Sequence, residues 1–290
     1  MSCLHEVGLS PESIDVLKHG TTEVINTLLE RRGARAALVT TAGFRDILEI
    51  GRAGRPVAFD LDYSRDPSLV DRERCFEIEE RIDADGDVVV PLARERLDAL
   101  AAAIVAAGAD AVAVSLLNAY LNPVHEAELA QFLRAELPGV YVTAGHELSR
   151  EWYEYERTST AAANAYVGPR AAGYVNRFAE RLARERFRGV FTMMGSNGGV
   201  LPVERARRQP IALIESGPIG GCVGAVVYAK ALGLDRLIAF DMGGTTAKCA
   251  LVEGGFFDIQ GVYYVGGYDR GLPLRTPVLD IVEVGTGGGS

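Results

Sequence analysis

No two cysteines stand at C-x-x-C spacing: Cys3, Cys75, Cys222 and Cys249 are scattered, and the four histidines do not cluster with them. That argues against a zinc site or disulfide framework and fits a reducing, cytoplasmic compartment. No run of about 18 apolar residues occurs, so no membrane span is expected. The most apolar stretch, AAAIVAAGADAVAV, is broken by Gly108 and Asp110 and reads as a helix end followed by a buried strand. The N-terminus lacks the basic-then-apolar pattern of a secretory signal. Positive charge is not in excess: the formal net charge is -9, with lysines and arginines interleaved among acids, so no nucleic-acid-binding face is expected. The locally basic RFAERLARERFR, 177–188, reads as a solvated helix face with i,i+4 pairs. No GKT or GKS closes a glycine loop, which excludes a Walker A site. Catalytic-triad patterns, metal-ligand clusters, internal repeats and low-complexity linkers are also missing.

What remains is ordinary globular composition, 48% apolar and 24% charged, in a chain long enough for one large domain or two ordinary ones with a substantial core. Helical and strand patterns alternate, the mark of an α/β fold. An apolar segment at 14–18 leads into His19-Gly20-Thr21-Thr22, and a helix over 23–32 is expected to stop at Gly33. A buried strand follows at 36–40, then a Gly43 turn and a helix through Ile50. The Gly-, Pro- and Asp-bearing stretch 51–67 reads as a loop, and 76–90 as a hairpin turning at Asp85-Gly86. Next come a helix at 92–107, a buried strand at 111–116, a helix at 123–136 and a strand at 140–143. The segment 151–187 is helical with a break expected at Gly168-Pro169. Strands are expected at 190–194 and 211–214, a small-residue helix at 219–232, and a strand–turn–strand at 237–252. The last forty residues read as strands and turns and stop in Gly287-Gly288-Gly289-Ser290. A domain rarely ends inside a glycine-rich turn, so the chain is expected to be cut short there.

The strongest chemical signal is IAFDMGGTTAKCALV, 238–252. An apolar strand ends in Asp241, then come Gly243 and Gly244, then Thr245 and Thr246, then a second strand. Glycines let backbone N–H groups close on an anion; the threonines add hydroxyl donors, and Asp241 can hold a hydrated Mg²⁺ or orient a water. A plain hairpin with a Gly-Gly turn is the bland alternative, but it needs neither the acid before the glycines nor the threonines after them. A second signal, ESGPIGGCVGAVVYAKALG, carries Gly217, Gly220, Gly221 and Gly224 on a helix almost without side chains, for tight packing or as a hinge between two lobes. Thr21 or Thr22 can cap the following helix, and HGTT is a candidate for a ligand cleft. Arg45 and Arg52 are possible anion contacts, though lone arginines are more often surface residues. The polar turn MGSNGG, with Asn197, lies after a strand, where α/β folds place ligands; a plain turn explains it equally. YEYERTST gathers Glu154, Glu156 and Arg157 as a solvated helix face, a subunit contact or a site.

With these residues in view, the chain resembles the hydantoinase A / 5-oxoprolinase family, which includes the beta subunit of acetone carboxylase. The matching segments are HGTTEVINTLLERRGARAALVTTAGFRDILEIGR, AVAVSLLNAYLNPVHE, YERTSTAAANAYV, MGSNGG, ESGPIGGCVGA, FDMGGTTAKCALVEGG and DIVEVGTGGGS, in the family's order. The resemblance implies partial lobes of the fold of actin, sugar kinases and heat-shock ATPases, a ribonuclease H-like α/β architecture clamping ATP between paired phosphate loops. Residues 1–220 would be the remainder of the N-terminal lobe, and 221–290 the connector helix and the start of the second lobe. Members normally begin with an earlier Asp-Gly-Gly-Thr loop and continue past GTGGGS, so the chain is expected to be incomplete at both ends and inactive alone. By the same resemblance ATP and Mg²⁺ are the cofactors, with Mg²⁺ held through water at Asp241. Gly243, Gly244, Thr245 and Thr246 would hold phosphate, with support from Ser216, Gly217, His19, Thr21, Thr22 and Asn197. Lys248 stands where some relatives carry an acid. The implied reaction is phosphorylation of a small cyclic amide for ring opening, completed by a B-type subunit or domain. A ketone carboxylase, a sugar-kinase-like or regulatory ATP-binding protein, and a non-catalytic fragment are the alternatives.

Overall fold

The computed structural model describes residues 6, 8–54, 57, 59–63, 66–243, 247–268 and 270–284. Gly244, Thr245, Thr246 and the GTGGGS end lie outside them. The α/β class holds, in two compact units interleaved in sequence. One comprises Asn26–Arg170 and Val262–Thr276, the other Met1–Ile25, Ala171–Gly261 and Pro277–Ser290. Neither unit coincides with residues 1–220 or 221–290, because the first 25 residues pair with strands from beyond residue 170. The hairpin that opens the 221–290 segment does lie in a different sheet from Ala36–Thr41.

The Asn26–Arg170 unit is built on a four-stranded parallel sheet in the order Cys75–Ile78, Ala36–Thr41, Ala111–Ser115, Tyr141–Ala144. The two middle strands are buried along their whole length, as continuous apolar runs in a parallel sheet should be. Alternate residues Ala37, Val39, Val112 and Val114 join a core with Leu97, Leu100 and Ile104 of the Leu97–Ala106 helix and Leu129 and Leu133 of the Val124–Glu136 helix. On the other side, Ser115 and Thr143 meet Thr158 and Asn164 of the long Glu154–Arg184 helix through hydrogen bonds of 2.8 and 3.0 Å. Chain order and sheet order disagree at one place. From Ala36–Thr41 the chain crosses to Cys75–Ile78 on one side and then returns to Ala111–Ser115 on the other. Such a switch point opens a crevice at the strands' carboxyl ends.

Several local expectations are corrected. The expected 76–90 hairpin is shorter: Cys75–Ile78 joins the parallel sheet, and only Arg81–Ile82 and Val88–Val90 pair as a hairpin, with Gly86 at φ 88°. The first helix ends at Leu29, and Arg31, not Gly33, takes the left-handed conformation, at φ 54°. Gly33 instead lets the Tyr166 ring pack against its backbone, where a Cβ would overlap it. No break interrupts the long helix at Pro169. Burial of its 156–167 stretch outweighs one lost backbone bond, since tertiary packing dominates helix stability. The expected strand at 211–214 is a 3-10 helix, Pro210–Leu213, because a short apolar run fits either form.

In the other unit, Val16–His19 runs parallel to Val190–Met194, which turns back on Val200–Pro202. The small-residue helix spans Ser216–Leu232 and ends at Gly233, φ 67°. Arg236–Met242 and Ala247–Glu253 form the expected hairpin, extended by Val282–Val284.

Candidate functional site

Four of the residues singled out in the sequence meet at one junction. At the carboxyl end of Val16–His19 the chain turns through Gly20, Thr21 and Thr22, and the start of the small-residue helix closes on that turn. The Thr21 N–H donates to Ser216 Oγ at 3.0 Å, and the Ser216 hydroxyl donates to the Thr21 carbonyl at 2.9 Å. A Cβ on Gly20 would stand 2.5 Å from the Ser216 carbonyl oxygen and 3.2 Å from Gly217 Cα; one on Gly217 would stand 3.1 Å from Thr22 Cγ2. At Gly20 the clash would be with backbone, so that approach requires glycine; at Gly217 it would be with the Thr22 methyl alone.

The junction continues into the hairpin through charge. Glu215, buried and left-handed at φ 58°, ion-pairs with Lys248 Nζ at 2.5 Å, and Lys248 also lies 3.6 Å from Glu283. Lys248 stands directly across the ladder from Asp241. Lys248 therefore bridges two carboxylates, one on a strand of the hairpin sheet and one at the helix start. Asp241 itself is exposed, as is Gly243, so the carboxylate stays hydrated and its position at the end of an apolar strand carries no desolvation cost. Burial pushes the Cys222 thiol up, and the nearby Asp241 carboxylate adds to it. That places Asp241 near the small-residue helix, where a Cβ added at Gly220, Gly221 or Gly224 would meet nothing within 4 Å.

His19 and Asn197 have other neighbours. Asn197 holds its own turn, accepting from the Gly199 N–H at 3.0 Å. His19 stacks on Phe178 at 4.4 Å, and its Nε2 lies 2.6 Å from the Tyr174 hydroxyl. Burial lowers the His19 pKa below its ordinary 6.5. Between the lowered folded value and 6.5 the unfolded chain binds the extra proton, so stability falls as pH falls through that window. His19→Phe keeps the stack and removes the titration. Its urea-unfolding midpoint should vary less than wild type's between pH 7 and pH 5; an unchanged slope would show that His19 does not contribute.

A second polar constellation, in the Asn26–Arg170 unit, went largely unread. Glu80, buried, accepts from the Thr41 hydroxyl and lies 2.8 Å from His125 Nδ1, while Thr41 Oγ1 accepts from the Leu117 N–H at 2.9 Å. Glu126, buried, accepts from the Leu116 N–H at 2.8 Å and meets His146 Nδ1 at 2.8 Å. Arg157, fully buried, donates from Nη2 to the Leu116 carbonyl at 2.9 Å and to Glu154 Oε2 at 3.2 Å, and lies 3.9 Å from Glu126. Glu154 also accepts from the Asn118 N–H at 2.9 Å, and desolvation holds its pKa above the usual carboxylate value. YEYERTST was the available signal, but its partners Asn118, Leu116 and Arg52 lie 36, 41 and 104 residues away in sequence. Arg52 forks onto Glu156 at 2.8 and 2.9 Å, which gives this arginine a partner inside the protein; Arg45 donates to the Arg72 carbonyl at 3.2 Å.

Among the described residues no group of three or more His, Cys, Asp or Glu side chains could hold a metal, and no helix is long and apolar enough to cross a membrane.

An α/β chain with a glycine junction beside a D-M-G-G hairpin has counterparts among known proteins. A family model described as the hydantoinase/oxoprolinase N-terminal region matches residues 2–137, and one described as hydantoinase/oxoprolinase matches 157–290. The chain belongs to the hydantoinase/oxoprolinase family. It is 37% identical to an uncharacterized protein of Methanocaldococcus jannaschii, over 96% of this chain and 43% of that protein. It is 30% identical to the acetophenone carboxylase gamma subunit of Aromatoleum aromaticum, over 98% of this chain and 41% of that one. The crystal structure of the ATP-dependent caprolactamase from Pseudomonas jessenii superposes with a TM-score of 0.85 at 31% identity, covering all of this chain and 42% of that one. The chain thus spans about two fifths of the length of these relatives.

Proposed function

We propose that the chain is part of an ATP-dependent subunit that phosphorylates the carbonyl oxygen of a small cyclic amide (a hydantoin, 5-oxoproline or a related lactam) so that water can open the ring. The observation that carries the reading is the junction of the HGTT turn, Ser216-Gly217 and, through Glu215–Lys248, the Asp241 hairpin. The residues fit a nucleotide: the bare face at Gly220, Gly221 and Gly224 leaves open space beside an exposed carboxylate and the exposed Gly243. Gly243, Gly244, Thr245 and Thr246 would hold phosphate. Thr21, Thr22, Ser216 and Gly217 would fix the turn beside it, with His19 and Asn197 as outlying supports. Asp241 would hold Mg²⁺ through water; one carboxylate suffices, because Mg²⁺ keeps several waters and takes phosphate oxygens as ligands. ATP supplies the phosphoryl group, and the chain's part is positioning and charge. Residues 1–220 and 221–290 would belong to the two lobes of the clamp. Ring opening would be completed by a B-type subunit or domain, in the cytoplasm.

Likeness to the acetophenone carboxylase gamma subunit favours a second reading, activation of a ketone and bicarbonate. Isotope tracing separates the two. With a lactam labelled with ¹⁸O in its carbonyl, the enzyme purified from its host with its partner should pass the label to inorganic phosphate. Ring opening that leaves all label in the product, or ATP turnover that needs a ketone and bicarbonate, would rule out the first reading.

A further inference from the structure

A cavity of about 460 Å³, within the range of small-molecule sites, lies past the carboxyl end of Ala36–Thr41 in the Asn26–Arg170 unit. Gly43 and Phe44, just past the carboxyl end of Ala36–Thr41, form one wall; Trp152, Tyr153, Glu154 and Tyr155, at the start of the long helix, form another. Ile50 and Trp152 are 60% and 65% exposed. Tyr153 is fixed by Arg275, whose Cζ lies 3.9 Å from its ring centroid, and Trp152 packs on it at 4.5 Å.

Charges around the cavity are matched within the protein. Asp46 is bonded to Arg72, Arg52 to Glu156, and Glu154 to Arg157. Among the described residues lining the cavity no charge is left over for a charged ligand, which would pay desolvation on entry. Each Glu154 oxygen accepts one N–H, from Asn118 and from Arg157, which leaves lone pairs on both for a further donor. Aromatic faces add a platform for a flat ring.

We propose that this cavity binds a neutral, flat ring compound bearing an N–H donor, the class of the cyclic amides, with Glu154 as acceptor and the aromatic side chains as its platform. The substrate class rests on the function proposed above; the binding geometry does not. Desolvation of Glu154, which raises its pKa, also makes the carboxylate a stronger acceptor.

Trp152 is the only tryptophan, so intrinsic fluorescence reports on the cavity directly. Titration of the chain with hydantoin should give a saturable fluorescence change. 1,3-Dimethylhydantoin, which lacks both N–H donors, should bind at least about tenfold more weakly, the worth of a hydrogen bond to a charged group. Glu154→Gln should shrink that discrimination to a few-fold. Ile50→Lys, a change at an exposed position, should weaken both compounds and keeps the test open if the Glu154 variant does not fold. No saturable change with hydantoin, or equal binding of the two compounds to wild type, would overturn the proposal. Either result would leave the isotope experiment intact, so the site and the reaction fail separately.

Discussion

Arg157→Ala should destabilise the Asn26–Arg170 unit by about 3–5 kcal/mol, the cost of leaving a buried charge without its partner. Arg157 is fully buried between Glu126, also fully buried, and Glu154, whose side chain is 21% exposed. Removing the guanidinium leaves two desolvated carboxylates facing each other and takes the bond from the Leu116 carbonyl. A cavity adds to the loss. Arg157 is itself an imperfect tenant, because its Nε and Nη1 are buried with no acceptor among the described residues. Arg157→Met combined with Glu154→Gln should therefore recover part of the stability that Arg157→Ala loses. Urea unfolding followed through Trp152 measures both. A loss below about 1 kcal/mol for Arg157→Ala would show that the cluster is held together by packing alone.

Gly20→Val should both destabilise the other unit and weaken any ligand the hairpin holds. The new Cβ would meet backbone rather than a movable side chain, at 2.5 Å from the Ser216 oxygen. Relief requires the HGTT and ESGP turns to separate, which breaks the reciprocal Thr21–Ser216 bonds. Overpacking and the two lost bonds together cost about 2–4 kcal/mol. Gly221→Ala is the control: its Cβ would meet nothing, and alanine in place of a helical glycine should gain roughly 0.5–1 kcal/mol. Equal effects from the two substitutions would mean that the close approach at Gly20 has no energetic consequence.

Elements whose residues carry a local period were legible in the sequence. The apolar runs at 36–40 and 111–116 read as buried strands, and the D-G and Gly-Gly turns marked hairpins, although Cys75–Ile78 left its expected partner for the parallel sheet. Among candidate site residues, Thr21, Thr22, Ser216 and Gly217 meet as one junction, whereas His19 is held in an aromatic stack that no local pattern announces. The Glu80–His125 and Glu126–Arg157 contacts were illegible for a physical reason. Glu80 alone reads as part of a hairpin, and His125, Glu126 and Arg157 as residues of separate helices; only the tertiary packing around the parallel sheet brings them together. The interleaving of the two units is hidden likewise, since it depends on Val16–His19 pairing with a strand more than 170 residues away.

The central claim is that the Asp241 hairpin, set by the glycine junction, holds nucleotide phosphate. Calorimetric titration with a non-hydrolysable ATP analogue, with and without Mg²⁺, tests it most directly, on the protein and its Asp241→Asn and Gly243→Val variants after circular dichroism confirms folding. Asp241→Asn preserves shape and removes charge, so affinity in Mg²⁺ should fall roughly ten- to a hundredfold, the worth of about 1.5–3 kcal/mol of charge-assisted contacts. The Mg²⁺ dependence should be lost with it, and Gly243→Val should abolish binding. Unchanged affinity and unchanged Mg²⁺ dependence in both variants would show that the turn is a hairpin and nothing more.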